Sequence, residues 1–298
     1  MSRKHLMMST CPRPVAGSRH VSRGRGIPSV TGNVPHMSAS QTSAADSATA
    51  TGKPFGIDFG GSGIKGAPVD LASGEFAAER TRVETPAGGR PDAVAAVVKQ
   101  LVEAGADEHG PVGITVPGVV VRGVVRSAAN IDKSWIGTDG VALFTRELQR
   151  TVVLVNDADA AGLAEARYGA ARDKDGLIIL TTLGTGIGTA LVHNGVLVPN
   201  SELGHLEIDG HDAESRAANS VRERKELSWE DWAKRLTRYY QTLERLFSPD
   251  LFVVGGGVSK HATKFLPLLH ISTPIVPAAL RNTAGIVGAA VLAAESSS

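Results

Sequence analysis

The sequence predicts an α/β protein built from two related lobes, with a ligand cleft between them. Two hairpins with glycine-rich tips, at residues 58–65 and 183–188, each open a similar succession of strands and helices. Apolar residues follow each hairpin at helical spacing and in short continuous runs, which is typical of α/β folds. A cleft between two such lobes is the usual location of a small-molecule site.

Composition favours a folded protein that binds small molecules. The chain has 298 residues, of which 42% are hydrophobic and 20% charged, enough to bury a substantial core. A net charge of +1 gives no global reason to expect nucleic acid or a membrane as partner. The single cysteine, Cys11, allows neither a disulfide framework nor a cysteine-based metal site, which fits a reducing compartment. No apolar run reaches the roughly 18 residues of a membrane helix. We therefore expect a cytoplasmic protein.

Residues 1–52 have the composition of a disordered, solvated tail. They are rich in Ser, Arg, Gly, Pro and Thr, and Asp46 is their only acid. Their basic residues could bind an anionic polymer; the alternatives are a dispensable extension or a start site chosen upstream of Met37. After this tail we expect an N-terminal lobe over residues 53–155 and a C-terminal lobe over residues 156–298.

The first lobe begins with a β-hairpin that starts at Phe55 and reaches a turn at Gly74. A helix is predicted to begin at Pro91 and to end at Gly105. Its apolar residues recur at helical spacing: Val94, Val97, Val98, Leu101 and Val102. Buried strands are predicted at 111–116 and 151–155, with a helix near 140–149 between them.

The second lobe repeats the hairpin and adds three helices. The first helix follows Asn156-Asp157 and ends near Gly169, and strands at 177–180 and 189–192 flank the second tip. Ser228 and Asp231 form a capping box for a long helix. Its apolar stripe comprises Trp229, Trp232, Leu236, Tyr240, Leu243 and Phe247. The last helix, about 283–294, is predicted to pack back on the first lobe.

The glycine-rich tips are candidates for binding a chain of phosphates with Mg²⁺. Unhindered backbone amides, a hydroxyl and an ammonium suit phosphate oxygens, and the carboxylate of Asp58 could hold the metal directly or through water. The first tip supplies Asp58, Gly60, Gly61, Ser62 and Lys65, and the second supplies Gly184, Thr185 and Gly186. Each tip alone could be only a turn. Gly255 and Gly256 after a later strand could approach the same ligand, or could be a packing turn.

Asn156-Asp157 should emerge at the carboxyl end of a strand, beside the positive N-terminus of a helix. A carboxylate there could accept a proton from an attacking hydroxyl. The alternative is that Asp157 only caps the helix.

A second cluster, Glu202-Leu-Gly-His205-Leu-Glu207, gathers two carboxylates and an imidazole. Such groups bind the adjacent hydroxyls of a polyhydroxy substrate. The alternatives are an acidic surface loop or a zinc site, for which the chain offers only His205, His211 and the distant His193.

Taken in order, these motifs resemble the ROK family of sugar kinases and repressors, within the actin/hexokinase superfamily of ribonuclease H-like folds. Three further stretches resemble the actinobacterial polyphosphate glucokinases of that family: Ala128-Ala-Asn-Ile-Asp-Lys-Ser-Trp135, Ser228-Trp-Glu-Asp-Trp-Ala-Lys-Arg235, and residues 273–290. The similarity covers about residues 54–294.

The resemblance implies a kinase that transfers a phosphoryl group to the 6-hydroxyl of glucose, from polyphosphate, ATP or both. It implies Asp157 as the catalytic base. The sugar-binding residues that it implies are Asn130, Asn156, Asp157, Glu202, His205 and Glu214. The family's usual cysteine-containing zinc motif is lacking before Glu214, so we expect no structural zinc.

We also expect a homodimer and closure of the lobes around glucose. A polyphosphate path would be a basic groove, for which the candidates are Lys65, Arg126, Lys133, Arg167, Arg222, Arg224 and Lys225. Two rival functions remain at this point. One is a kinase for mannose, fructose or an N-acetylhexosamine. The other is a sugar-responsive repressor, although residues 1–52 show no helix-turn-helix pattern.

Overall fold

The computed structural model describes residues 52–297. The predicted tail therefore lies outside the described residues, apart from Gly52. Within residues 52–297, none of the helices has the length and apolar character that a membrane span requires.

The first sheet contains six strands in the order β3-β2-β1-β5-β8, with β4 also paired to β2. Its strands are β1 (Phe55–Gly60), β2 (Gly63–Asp70), β3 (Glu75–Phe76), β4 (Thr81–Val83), β5 (Val112–Val116) and β8 (Val152–Asn156). The hairpin β1-β2 is antiparallel, whereas β5 and β8 continue the sheet in parallel. Small hairpin strands β6 (Val120–Val121) and β7 (Val124–Val125) follow β5.

The second sheet repeats this arrangement in the order β11-β10-β9-β14-β15. Its strands are β9 (Leu177–Leu183), β10 (Ile187–His193), β11 (Val196–Val198), β14 (Leu251–Gly255) and β15 (Ile275–Pro277). Again an antiparallel hairpin, β9-β10, is continued by two parallel strands. A separate hairpin joins β12 (Glu207–Ile208) to β13 (His211–Asp212). The repeated pattern confirms the predicted α/β fold with two related halves.

Seven α-helices are present in residues 52–297. They are α1 (Pro91–Gly105), α2 (Gly140–Leu148), α3 (Asp157–Tyr168), α4 (Glu214–Ala217), α5 (Asn219–Arg224), α6 (Trp229–Phe247) and α7 (Ala284–Ser296). Two of the predicted helix starts are confirmed: Pro91 is the first residue of α1, and Ser228 caps α6 by accepting a hydrogen bond from Asp231 N (3.1 Å).

Each sheet has its own apolar core. Valines of α1 and β5 surround Phe59 and Trp135 in the first core, where the Trp135 indole donates to Gly89 O (2.7 Å). The second core lies between β9, β14 and α6, and Trp232 and Tyr240 are fully buried there. The apolar stripe predicted for α6 therefore faces the core.

Helix α7 crosses the first sheet at very short range. A side chain on Gly56 of β1 would collide with the carbonyl oxygen of Ile286, and one on Gly113 of β5 would collide with that of Ala289. Gly288 of α7 makes an equally close approach to the backbone of Ala160 in α3. The small residues of this helix thus allow α7 to pack backbone to backbone against α3 and against β1 and β5 near the amino-terminal ends of these strands.

Candidate active site

A cleft of about 550 Å³ opens where the carboxyl ends of the central strands meet. It brings together all six residues that the sequence analysis assigned to the sugar: Asn130, Asn156, Asp157, Glu202, His205 and Glu214. It is also lined by Gly184, Thr185, Gly186 and Gly256 from the predicted donor set. Residues separated by more than eighty positions therefore share one site, as a small-molecule pocket requires.

Asn156 and Asp157, at the end of β8, have different roles: Asn156 caps the following helix and Asp157 faces the cleft. Asn156 is the N-cap of α3: its side-chain oxygen accepts from Ala158 N (2.9 Å) and Asp159 N (3.1 Å). Its side-chain amide also donates to Gly118 O (3.1 Å), just beyond the neighbouring strand β5. Asp157 is the first residue of the helix, so the capping alternative for Asp157 is wrong. Its carboxylate accepts from Ala158 N (2.9 Å) and otherwise faces the cleft.

The environment of Asp157 suits a general base. Water reaches its carboxylate from the open side of the cleft, while protein atoms enclose the remaining sides. This desolvation is the main cause that raises the pKa of Asp157 to about 6, followed by the negative charge of Asp58. At pH 7 the carboxylate is thus ionised, yet it takes a proton more readily than an ordinary aspartate does.

Glu202, His205 and Glu214 lie close together in the wall of the cleft. His205 lies between the two carboxylates, with its nitrogens 4.0 Å from Glu202 Oε2 and 4.0 Å from Glu214 Oε1. Its Nδ1 is 2.9 Å from Asp212 Oδ2, and this hydrogen bond is the main cause that raises the pKa of His205. Desolvation raises the pKa of Glu202.

Glu214 is held by the second hairpin. Its Oε2 accepts from the backbone N–H of Ile187 (3.0 Å), and a side chain at Gly186 would collide with the Glu214 carboxylate. Gly186 is therefore needed for the close approach of Glu214 to this tip. Besides this packing role, Gly186 lines the cleft beside Gly184 and Thr185.

The first tip lies beside the cleft and does not line it. Asp58 Oδ2 is 3.1 Å from Lys65 Nζ, and its Oδ1 accepts from Thr115 Oγ1 (3.3 Å). Lys65, predicted to meet phosphate, is therefore paired with the predicted metal ligand. Gly61 packs against the backbone of Asn130, which connects this tip to the sugar side. Gly60 and Ser62 belong to the same turn and are absent from the cleft wall.

Gly255 and Gly256 have different roles. Gly255 is buried at the end of β14 and does not line the cleft. Gly256 has a φ of 80° and lies against the backbone of Leu183, so this position requires glycine for conformation and packing. Gly256 also lines the cleft, which leaves it as the member of this pair that could contact a donor.

Sequence reasoning missed three polar residues around the site. Thr115 donates to Asp58, and Asp212 bonds the His205 ring, so each orients a predicted site residue. Asp159 lies beneath the cleft with only 1% of its surface exposed. Burial is the main cause that raises the pKa of Asp159 to about 7. The available signal for Thr115 was its position as a polar residue in an otherwise apolar strand. The signal for Asp159 was its position as a polar residue in an alanine-rich helix.

One group of side chains in the described part of the chain could share a metal ion. Ligand atoms of His205, Asp212 and Glu214 all lie within 4.8 Å of one another. The same three side chains bind each other and line or border the sugar side of the cleft, so they can equally act on sugar hydroxyls.

Comparison with known proteins gives the same family from sequence and from structure. Residues 54–219 match the ROK family. A polyphosphate glucokinase of Mycobacterium tuberculosis (strain CDC 1551 / Oshkosh) is 53% identical over 251 residues, which cover 84% of this chain and 94% of the relative. A solved inorganic polyphosphate/ATP-glucomannokinase of Arthrobacter sp. strain KM is 55% identical, with a TM-score of 0.76 over 82% of this chain and 99% of that one. A ROK family glucokinase of Streptomyces griseus, solved with glucose and AMPPNP, is 25% identical, with a TM-score of 0.69 over 82% and 100% of the two chains.

Proposed function

This chain belongs to the ROK family, and we propose that it is a glucokinase that transfers a phosphoryl group from inorganic polyphosphate or ATP to the 6-hydroxyl of glucose. The observation that carries the proposal is the placement of Asp157. Its carboxylate lines the same cleft as a cluster suited to sugar hydroxyls and a glycine-rich tip suited to phosphate. Relatives named polyphosphate glucokinase and polyphosphate/ATP-glucomannokinase support the same reaction.

The sugar is held through its hydroxyls. Glu202, Glu214 and His205 offer two carboxylates and a ring nitrogen on one wall, and Asn130 and Asn156 offer amides on the other. Adjacent hydroxyls form strong hydrogen bonds with such charged acceptors. This arrangement leaves the 6-hydroxyl to face Asp157 at the N-terminus of α3.

In the chemical step, the O6 oxygen attacks the terminal phosphorus of the donor while the Asp157 carboxylate accepts the O6 proton. The new bond joins O6 to phosphorus, and the bond between that phosphorus and its bridging oxygen breaks, so the shortened phosphate chain or ADP leaves with the electron pair. The products are glucose 6-phosphate and the shortened donor. The backbone amides of Thr185 and Gly186 would stabilise the charge on the transferred group, whereas Gly184 N already donates to Gly186 O (3.0 Å).

Magnesium fits Asp58. The Asp58 and Asp157 carboxylates are close enough for the charge of Asp58 to raise the pKa of Asp157, and a divalent cation near them would relieve this repulsion. Both Asp58 oxygens already have protein partners, which favours contact through water. When bound, Mg²⁺ would neutralise charge on the donor phosphates.

Few of the predicted basic residues remain for a polyphosphate path. Lys133 donates to Ala128 O (2.7 Å), Arg167 pairs with Glu295, and Arg222 lies 4.2 Å above the Trp229 ring. Arg224 and Lys225 are exposed at the end of α5, whose Ser220 bonds the second tip through Thr185 O (2.6 Å). We assign donor contacts beyond the transferred group to Arg224 and Lys225.

Mannose is the second candidate acceptor, because the Arthrobacter relative is named a glucomannokinase. We further propose that the protein is a cytoplasmic homodimer, on the strength of the sequence analysis. A repressor would need a DNA-binding unit in residues outside the described part of the chain, and the catalytic arrangement around Asp157 favours the kinase.

The deciding experiment compares donors and acceptors side by side. With ATP or long-chain polyphosphate as donor, glucose 6-phosphate is followed with a coupled dehydrogenase. For mannose and fructose as acceptors, added sugar-phosphate isomerases first convert the 6-phosphate product into glucose 6-phosphate. Mass photometry of the same preparation reports the oligomeric state. The proposal expects glucose to have the highest kcat/KM with at least one donor. Absence of product from glucose with both donors would contradict it.

A further inference from the structure

A single asparagine joins the two walls of the cleft. Asn200 follows β11 of the second sheet, and its side chain meets the backbone of Val120, which follows β5 of the first sheet. Val120 N donates to Asn200 Oδ1 (2.9 Å), and Asn200 Nδ2 donates to Val120 O (2.8 Å). These two hydrogen bonds resemble those between paired β-strands. Asn200 and Val120 are eighty residues apart in the sequence.

The backbone of Asn200 is in turn held by the side chain of Asp159. Asn200 N donates to Asp159 Oδ2 (2.7 Å), and Asp159 is buried in the first turn of α3. The φ of Asn200 is 62°, a left-handed conformation that asparagine tolerates better than most residues. Asp159 therefore supports the turn, and the turn directs the Asn200 amide to the backbone of Val120. We call the set Asp159, Asn200 and Val120 the clamp.

Both ends of the clamp lead directly to sugar-side residues. On one side, Glu202 comes two residues after Asn200, in a segment that Thr189 also holds through Ser201 O (2.6 Å). On the other side, Val120 comes two residues after Gly118, which lines the cleft and accepts from the Asn156 side chain. A change at Asn200 would therefore alter the spacing between Glu202 and the wall that carries Gly118.

We propose that Asn200 is a positioning residue for the sugar: the clamp sets the separation of the two walls and so places Glu202 for the glucose hydroxyls. The inference rests on the proposed function. The donor side should depend on it little, because the second tip has its own support from α5, where Ser220 bonds Gly184 O (3.0 Å) and Thr185 O. The role of Asn200 is thus expected to appear in glucose affinity and not in donor affinity.

Asn200→Gly isolates the side chain. Glycine accepts the positive φ, so the turn is kept while both bonds to Val120 are lost. Two lost hydrogen bonds of ordinary strength predict that the dissociation constant and the KM for glucose rise about tenfold, with the donor KM within twofold. The Val120 amide should exchange its hydrogen faster. Arg122→Gly is the matched control, since Arg122 also has a positive φ (51°), is exposed and lies two residues from Val120.

The measurements are glucose affinity by tryptophan fluorescence, steady-state KM for both substrates, and hydrogen exchange at Val120. A glucose KM within twofold of wild type, with faster exchange at Val120, would overturn the proposal. Equal rises in both KM values, together with a lower melting temperature, would also overturn it, because they indicate a general structural role. A wild-type chain that forms no glucose 6-phosphate would contradict the proposed function instead, and the exchange and glucose-affinity comparison would still decide the clamp.

Discussion

Replacing Asp159 with asparagine is expected to stabilise the protein at pH 8 and to make it slightly less stable at pH 4, by about 1 kcal/mol. Burial raises the pKa of Asp159 from 3.8 to about 7 in the folded protein. The folded state therefore keeps a proton that the unfolded chain releases, and wild-type stability falls as pH rises from about 4 to about 7. Asparagine does not ionise, so the variant escapes this loss.

The magnitude follows from the shift and from the contacts of the carboxylate. A shift of about three pKa units corresponds to about 4 kcal/mol at pH 8, since each unit is worth about 1.4 kcal/mol. The asparagine oxygen can still accept from Asn200 N, but Asp159 Oδ1 has no partner in the described structure, so an amide there leaves buried N–H groups unsatisfied at a cost of about 1–2 kcal/mol. The net gain is about 2–3 kcal/mol, or roughly 5–10 °C in melting temperature.

Differential scanning calorimetry of wild type and Asp159→Asn at pH 4, 6 and 8 tests this expectation. The control is Asp173→Asn, because the Asp173 side chain is 89% exposed and its replacement should change neither melting temperature nor its pH dependence. A variant that is less stable than wild type at pH 8, or that differs from it equally at pH 4 and pH 8, would contradict this expectation. It would show that Asp159 is not an uncompensated buried carboxylate.

Three further expectations concern activity. The kcat/KM for glucose should fall about tenfold per pH unit below pH 6, because Asp157 must be ionised to accept the proton; a discontinuous assay that shows a flat profile to pH 5 would contradict this. Deleting residues 1–52 should change kcat and melting temperature little, since their composition is that of a solvated tail, and a drop of several degrees would show a structural role. Raising the salt concentration should increase the KM for long polyphosphate more than the KM for ATP, because salt screens the ion pairs with the phosphates. The double substitution Arg224→Ala and Lys225→Ala should raise the KM for polyphosphate and leave the KM for ATP nearly unchanged. Equal effects on both KM values would show that these residues do not contact the donor. Arg222 is left unchanged in this variant, because Arg222→Ala would also remove the packing of Arg222 on Trp229.

Local signals in the sequence were sufficient to predict most elements of the fold. The proline at the start of α1, the Ser228 cap of α6 and the alternation around the two tips depend on neighbours within a few residues. The pairing of Lys65 with Asp58 was also within reach, since the two residues are directly opposed in the β1-β2 register. A charged pair at such positions is expected from cross-strand geometry alone.

Contacts between distant segments could not be predicted in this way. The bonds between Asn200 and Val120 depend on how the two sheets meet, which periodicity within either one does not determine. In the sequence, Asp159 is an ordinary polar residue of an alanine-rich helix. Its burial results from the packing of α3 under the cleft, which local sequence does not determine. The choice of Asn156 over Asp157 as the cap depends on where the backbone leaves the extended conformation, and Asn156 is still extended, with φ −62° and ψ 145°.

The most direct test of the proposed mechanism is the single substitution Asp157→Asn, measured for both turnover and glucose binding. The amide keeps the shape and hydrogen-bonding capacity of the side chain but does not accept the O6 proton. We expect kcat to fall by about 10²–10⁴ while the glucose dissociation constant stays within a few-fold of wild type. A variant that retains more than half of the wild-type kcat would contradict the assignment of Asp157 as general base.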